Sequence, residues 1–235
     1  ERAELRYDVG EFVRARQLFR RAAEEFDRLG LQTRRRWAQL NAGWCRLGAG
    51  AYGEAASVAR RIAGGVSESR ALALRAEAAN LLGETARLSG RYDEALEAYE
   101  RARRLYQKGG SAVEILDLNI ALTLLGAGRS EEARGRLEQL REVLPARGYV
   151  SRLLLVHLGL MASAASRGDW SSWEEHREAF QEVLQTNRKL DRDQPWLAEV
   201  AAAAAERAGA EERARSLRRR AEEWWEELDA VEGTS

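Results

Sequence analysis

The sequence predicts an all-α fold made of repeated helical hairpins, and three observations support this prediction. The 235 residues contain only two prolines, so the strongest helix breaker is nearly absent. Residues with β-branched side chains are sparse, which disfavours strands. A glycine recurs every 38 to 41 residues, at Gly10, Gly50, Gly90, Gly128, Gly168 and Gly209. This spacing indicates one structural unit repeated about six times.

Each unit is predicted to be two helices joined at its glycine. A helix-compatible stretch precedes each glycine, and a stretch with apolar residues spaced by three and four follows it. Glycine suits the turn because it adopts a positive φ without steric cost. Small residues that would let the two helices cross closely stand five positions after most of these glycines, at Ala15, Ala55, Ala95, Ala133 and Ala214. Trp173 occupies this position in the fifth hairpin, which predicts a different packing there.

The predicted elements follow the glycines in order. The repeats are expected at 1–30, 31–66, 67–110, 111–147, 148–192 and 193–231, with 232–235 as a frayed tail. Leading helices are predicted at about 33–48, 68–89, 111–127, 149–167 and 196–208, and a last helix at about 211–231. The first repeat lacks most of its leading helix. Because the chain begins at Glu1, we expect it to be part of a longer polypeptide.

Composition excludes several functions. The chain has 38 basic and 38 acidic residues, and this neutrality argues against a dedicated nucleic-acid binder. The short basic runs at 34–36 and 218–220 are interpreted as solvated helix surface. No apolar run approaches the roughly 20 residues that span a bilayer. A single cysteine excludes an internal disulfide and favours a reducing, cytoplasmic location.

The sequence offers no catalytic or cofactor-binding constellation. His157 and His176 are the only histidines and fall on different predicted helices. His157 lies in an apolar run and is interpreted as a hydrogen-bonded, partly buried imidazole, and Cys45 as small core filler. No cysteine and histidine set has metal-ligand spacing, and no glycine-rich phosphate loop is present. We therefore expect no enzyme activity, no metal and no cofactor.

The clearest copy of the unit lies between Leu81 and Tyr106. Its pattern of Leu82–Gly83, Gly90, Tyr92, Ala95, Tyr99 and Ala102 resembles the tetratricopeptide repeat family. The spacing near 40, longer than the usual unit of about 34 residues, is similar to the longer repeats of bacterial signalling proteins. The resemblance implies a right-handed α-solenoid of about 11–12 helices, whose leading helices line a concave wall that binds partners.

Helical spacing predicts which side chains face that wall. Three successive leading helices place an asparagine at or beside the same position, and a row of amides can hold the backbone of an extended peptide. The alternative, given equal weight, is that these amides bridge helices within the stack. The predicted groove residues are Trp37, Asn41, Trp44, Asn80, Glu84, Arg87, Asn119 and Leu122.

These observations predict a non-catalytic module that binds a protein or peptide, as the sensor or scaffold arm of a larger bacterial signalling protein. Another part of the parent chain is an alternative occupant of the groove. The alternative is a receptor for a short signalling peptide or small molecule, closed over the small residues Gly159, Ala162 and Ala165. On the last helix, Trp224 and Trp225 lie about 100° apart, so burying both requires contacts on two faces. They are therefore candidates for a homodimer interface.

Overall fold

The computed structural model describes residues 11–65, 71–186 and 190–233, and these residues form helices and turns without any strand. The predicted all-α class is therefore confirmed. A single 3-10 turn, Val150–Arg152, precedes α8. In chain order the helices are α1 (Phe12–Arg28), α2 (Gln32–Gly48), α3 (Tyr52–Gly64), α4 (Leu72–Leu88), α5 (Tyr92–Lys108), α6 (Glu114–Gly126), α7 (Ser130–Ala146), α8 (Leu153–Ser166), α9 (Trp170–Thr186), α10 (Asp193–Arg207) and α11 (Glu211–Gly233).

The chain forms two compact units of helical hairpins. Unit 1 ends at Leu116 and unit 2 begins at Asp117, so the boundary falls inside α6. In unit 1 each helix from α1 to α4 packs on its successor, and α2 also packs on α4. In unit 2, α8 packs on α7, α9 and α10, and α10 packs on α11. Consecutive packing of this kind is that of a tetratricopeptide-like helical repeat.

The turn within each hairpin depends on a glycine with positive φ. Gly50, Gly90, Gly128, Gly168 and Gly209 have φ values between 68° and 78°. At Gly90, the amides of Gly90 and Arg91 donate to the carbonyls of Arg87 and Ala86, at 3.0 and 2.9 Å. This pairing satisfies the last carbonyls of the helix and ends it sharply. The predicted pivot role is thus confirmed at five glycines, and Gly10 lies outside the described residues.

Small residues let the helices of a hairpin approach closely. A Cβ atom added to Gly83 of α4 would lie 2.5 Å from the ring of Tyr99 on α5, so the ring rests on the helix backbone. The crossing alanines Ala55, Ala95 and Ala133 have no exposed surface. Trp173 is also buried at the equivalent place in α9, with its ring centroid 5.9 Å from that of Trp170. The core therefore accepts a large side chain at this one crossing.

The observed helices differ from the predicted ones mainly at their ends. Leading helices α4 and α6 each begin three or more residues later than predicted. The final helix continues to Gly233, two residues beyond its predicted end, so the predicted tail is shorter. The segment predicted to supply the first leading helix lies outside the described residues.

We predict that replacing Gly83 by alanine destabilises unit 1, whereas replacing Gly53 does not. The added methyl at Gly83 would overlap the Tyr99 ring, which we expect to cost about 1–3 kcal/mol. Gly53 lies in the first turn of α3 with open space around it, so alanine there should stabilise by up to about 1 kcal/mol. Urea denaturation of the two variants measures both changes, and equal midpoints would contradict the close approach.

Candidate functional site

On α2, one face carries two tryptophans with an asparagine between them. Trp37, Asn41 and Trp44 follow one another at four- and three-residue spacing, so they share a face of the helix. All three are half-buried, and both indoles pack against the core formed by α2, α3 and α4. The Asn41 side chain makes no hydrogen bond with any described residue. We call these three residues the α2 face; its amide is available to an external group.

On α4, the predicted groove asparagine is already engaged. The Glu77 carboxylate accepts hydrogen bonds from the Tyr106 hydroxyl, the Trp44 indole and the Asn80 amide. Burial raises the pKa of Glu77, as does the nearby Glu84, while these three donors oppose the shift. The Asn80 side-chain oxygen is buried without a partner among the described residues. Asn80 thus belongs to a polar cluster that joins α2, α4 and α5.

Two further groove residues on α4 lie in the core. Glu84 and Arg87 are buried and form an ion pair at 2.6 Å within one helical turn. Tyr99 is fully buried beside them, and burial together with the Glu84 carboxylate raises the pKa of its hydroxyl. The prediction that Glu84 and Arg87 line an open groove is wrong, because their charges compensate each other inside unit 1.

In unit 2, the leading helices carry one half-exposed asparagine amide, and their small residues are buried. The Asn119 side chain is half-buried and makes no hydrogen bond with a described residue, whereas Leu122 is fully buried. Leu122 is therefore a core residue and not a groove pocket. Ala162 and Ala165 are also buried, and a Cβ on Gly159 would lie 2.8 Å from Leu137. The small-residue wall is thus filled by the protein's own side chains, which removes the predicted receptor cavity there.

The two tryptophans of α11 find partners within unit 2. Trp224 is buried, with its ring centroid 6.0 Å from that of Phe180. The half-buried Trp225 donates from its indole to the Glu199 carboxylate at 2.7 Å, beneath the Arg192 guanidinium. The two tryptophans thus make contacts on two faces of α11, as their spacing in the sequence predicted. The prediction that Trp224 takes part in a dimer interface is wrong, because its surface is already covered.

The structure brings together two histidines that the sequence analysis kept apart. His157 on α8 and His176 on α9 are buried with ring centroids 5.6 Å apart. Neither Nδ1 atom has a hydrogen-bond partner among the described residues, so the prediction of a hydrogen-bonded His157 fails at that atom. Burial lowers the pKa of His157 to about 4, helped by His176 and Arg141, and burial also lowers the pKa of His176.

The titratable groups give little support to catalysis. Burial raises the pKa of the Cys45 thiol to about 12, and Cys45 packs with apolar residues of α1 and α2 as predicted. A thiol held protonated is a poor nucleophile. Over the described ranges, no group of three or more histidine, cysteine, aspartate or glutamate residues is arranged to hold a metal ion. None of the described helices combines the length and apolar character needed to cross a membrane.

The architecture is that of an α-helical repeat protein. Comparison with known proteins indicates which kind of helical repeat it contains. Residues 76–108 match the tetratricopeptide repeat family model, so the resemblance deduced from Gly83 to Ala102 is confirmed and the chain contains a tetratricopeptide repeat. Among solved structures, the fold is similar to BtubC (BKLC) from P. vanneervenii. That similarity has a TM-score of 0.65 and 20% identity over 93% of this chain and 92% of BtubC. No curated protein matches the chain significantly.

The family match defines the general class of function. Tetratricopeptide repeats generally mediate protein–protein interactions, which supports a non-catalytic binding module. Of the predicted groove residues, Asn80, Asn119 and the three residues of the α2 face are half-buried.

We predict that unit 2 loses stability as the pH falls from about 7 to about 5. The unfolded chain binds protons at His157 near the ordinary pKa of 6.5, while the folded chain resists them until about pH 4. Below pH 6.5 protons therefore favour the unfolded state, which costs roughly 1–2 kcal/mol by pH 5. Urea denaturation at the two pH values, followed by circular dichroism and total tryptophan fluorescence, measures the loss.

The double variant His157→Leu and His176→Leu is the control for this prediction. Leucine fills a similar volume and does not titrate, so the variant should lose much less stability than the parent between the same pH values. Equal pH dependence in both proteins would show that the histidine pair is not the cause.

Proposed function

We propose that this chain is a non-catalytic module that binds a segment of a partner polypeptide on the faces of its leading helices. The observation that carries the proposal is the Asn41 amide, which is half-buried between two indoles and unbonded to any described residue. A structural amide would be expected to have a hydrogen-bond partner within the protein, as the Asn80 amide has in Glu77. Asn41 therefore supports the peptide-binding alternative.

The chemistry of the α2 face suits a peptide backbone. An asparagine side chain both donates and accepts, so it can pair with one peptide unit whatever the side chain beside it. Trp37 and Trp44 each expose part of an indole next to this amide, and aromatic residues supply much of the affinity at interfaces. Asn119 offers a second such amide in unit 2.

The module is further proposed to act as the sensor or scaffold arm of a larger, cytoplasmic bacterial signalling protein. In that setting the arm would influence an effector only if its partner binds one state of the effector more tightly than the other. The small-molecule alternative has weaker support, because the wall at Gly159 is occupied by leucine side chains.

We predict that the double variant Asn41→Ala and Asn119→Ala binds peptide more weakly without losing stability. Twelve-residue peptides selected by phage display on the parent chain serve as probes, and fluorescence anisotropy measures their affinity. Loss of the backbone pairing should weaken binding about tenfold. Helicity and melting temperature should stay close to the parent, since neither amide is bonded to a described residue.

Gln107→Ala is the matched control, because Gln107 is an exposed amide on α5, away from α2. It should bind the selected peptides as the parent does. Unchanged affinity in the double variant would contradict the proposed site, and unfolding of that variant would show that the amides are structural.

A further inference from the structure

Unit 1 contains a cleft that lies apart from the α2 face. A cavity of about 540 Å³ lies between α1, α2 and α3. Its apolar floor includes Ala23, Ala42, Val58 and Ile62, each with only slight exposure. Five arginines from the three helices line it, namely Arg16, Arg20, Arg35, Arg46 and Arg61. We call this cavity the arginine cleft.

The lining of the cleft is positively charged although the whole chain is neutral. Five arginines against the two acidic lining residues, Glu24 and Asp27, leave a net charge of 5 − 2 = +3. The complete chain has 38 basic and 38 acidic residues. The folded arrangement of α1, α2 and α3 therefore concentrates cationic side chains that the composition balances elsewhere. Such a cleft attracts anions.

Some of these arginines already have partners, and others do not. Arg35 pairs with Asp27 at 2.5 Å, Arg46 with Glu54 at 3.1 Å and Arg20 with Glu24 at 3.8 Å. Arg16 and Arg61 form no hydrogen bond or ion pair with a described residue.

The state of Arg16 favours an anionic ligand. Its side chain is half-buried, and a partly desolvated guanidinium without a counter-charge is costly to the free protein. A carboxylate from outside would offset that cost and accept two parallel hydrogen bonds from the guanidinium.

The layout of the cleft favours an extended acidic chain over a compact anion. Arg35 and Arg46 line the cleft 11 residues apart on α2, a distance of about 16 Å at 1.5 Å per residue, and Arg16 and Arg20 face them from α1. About five residues of extended polypeptide cover this length. A single phosphate would reach only one end of the row, whereas carboxylates on successive residues can pair with arginines from two helices.

The arginine cleft is distinct from the α2 face. On α2, the cleft residues Arg35, Ala42 and Arg46 lie roughly 140–180° around the helix from Trp37 and roughly 100–140° from Asn41. A ligand in the cleft therefore leaves the leading-helix face open. We propose that the arginine cleft binds an acidic segment of polypeptide, separately from the partner segment on the leading helices.

Fluorescence anisotropy with a labelled peptide of eight glutamates tests this proposal on the full 235-residue chain. The double variant Arg16→Gln and Arg61→Gln removes the two unpaired arginines. The matched control, Arg34→Gln and Arg60→Gln, makes the same change of charge at exposed arginines outside the cleft. We expect the cleft variant to weaken binding about tenfold and the control less than about twofold.

Three results would overturn the proposal: no binding of the glutamate peptide, equal losses in the two double variants, or tighter binding of an octanucleotide of thymidine at the same salt concentration. The last would indicate a nucleic-acid surface. A peptide of eight glutamines should not bind, and added salt should weaken the glutamate peptide. If the double variant melts early, Arg61→Gln alone, at an exposed position, should still reduce the affinity severalfold.

Discussion

The close approach of helix backbones within and between hairpins is the constraint on which the rest of each unit depends. Gly83 receives the Tyr99 ring, Gly43 contacts Leu81, and Gly159 contacts Leu137, each at a distance that leaves no room for a Cβ atom. Because the helices pack this closely, much of the surface of each leading helix is buried in the core. On α8 it buries every residue from Leu154 to Ala165. The leading helices therefore keep only part of their surface accessible, and Asn41 is one of the residues that stay half-buried.

Those features of the fold that depend on local chemistry were predictable from the sequence. A glycine that must adopt positive φ, as Gly90 does, and a small crossing residue such as Ala95 both leave a local pattern. The burial of charged side chains leaves no such local pattern in the sequence. Glu84 and Arg87 look like exposed residues in the sequence, and the folded unit buries the pair beside Tyr99.

Contacts between distant residues were equally hidden. His157 and His176 meet because α8 and α9 form a hairpin, and no sequence motif marks that meeting. The arginine cleft combines Arg16 with Arg61 from helices that are not adjacent in the chain. Its positive charge is invisible in a composition with zero net charge. Helix α2 thus presents two chemically different faces, one aromatic and amide-bearing, the other cationic. These faces are the two recognition surfaces that we propose for unit 1.

The most direct measurement of where a partner binds is a ¹H–¹⁵N spectrum of the tryptophan indoles during titration with a selected peptide. The chain has seven tryptophans, so each indole resonance can be assigned by single substitution. If the α2 face is the binding site, the Trp37 and Trp44 resonances shift at the same peptide concentration, while that of the buried Trp173 does not. Shifts confined to the indoles of unit 2, with Trp37 and Trp44 unmoved, would contradict the account.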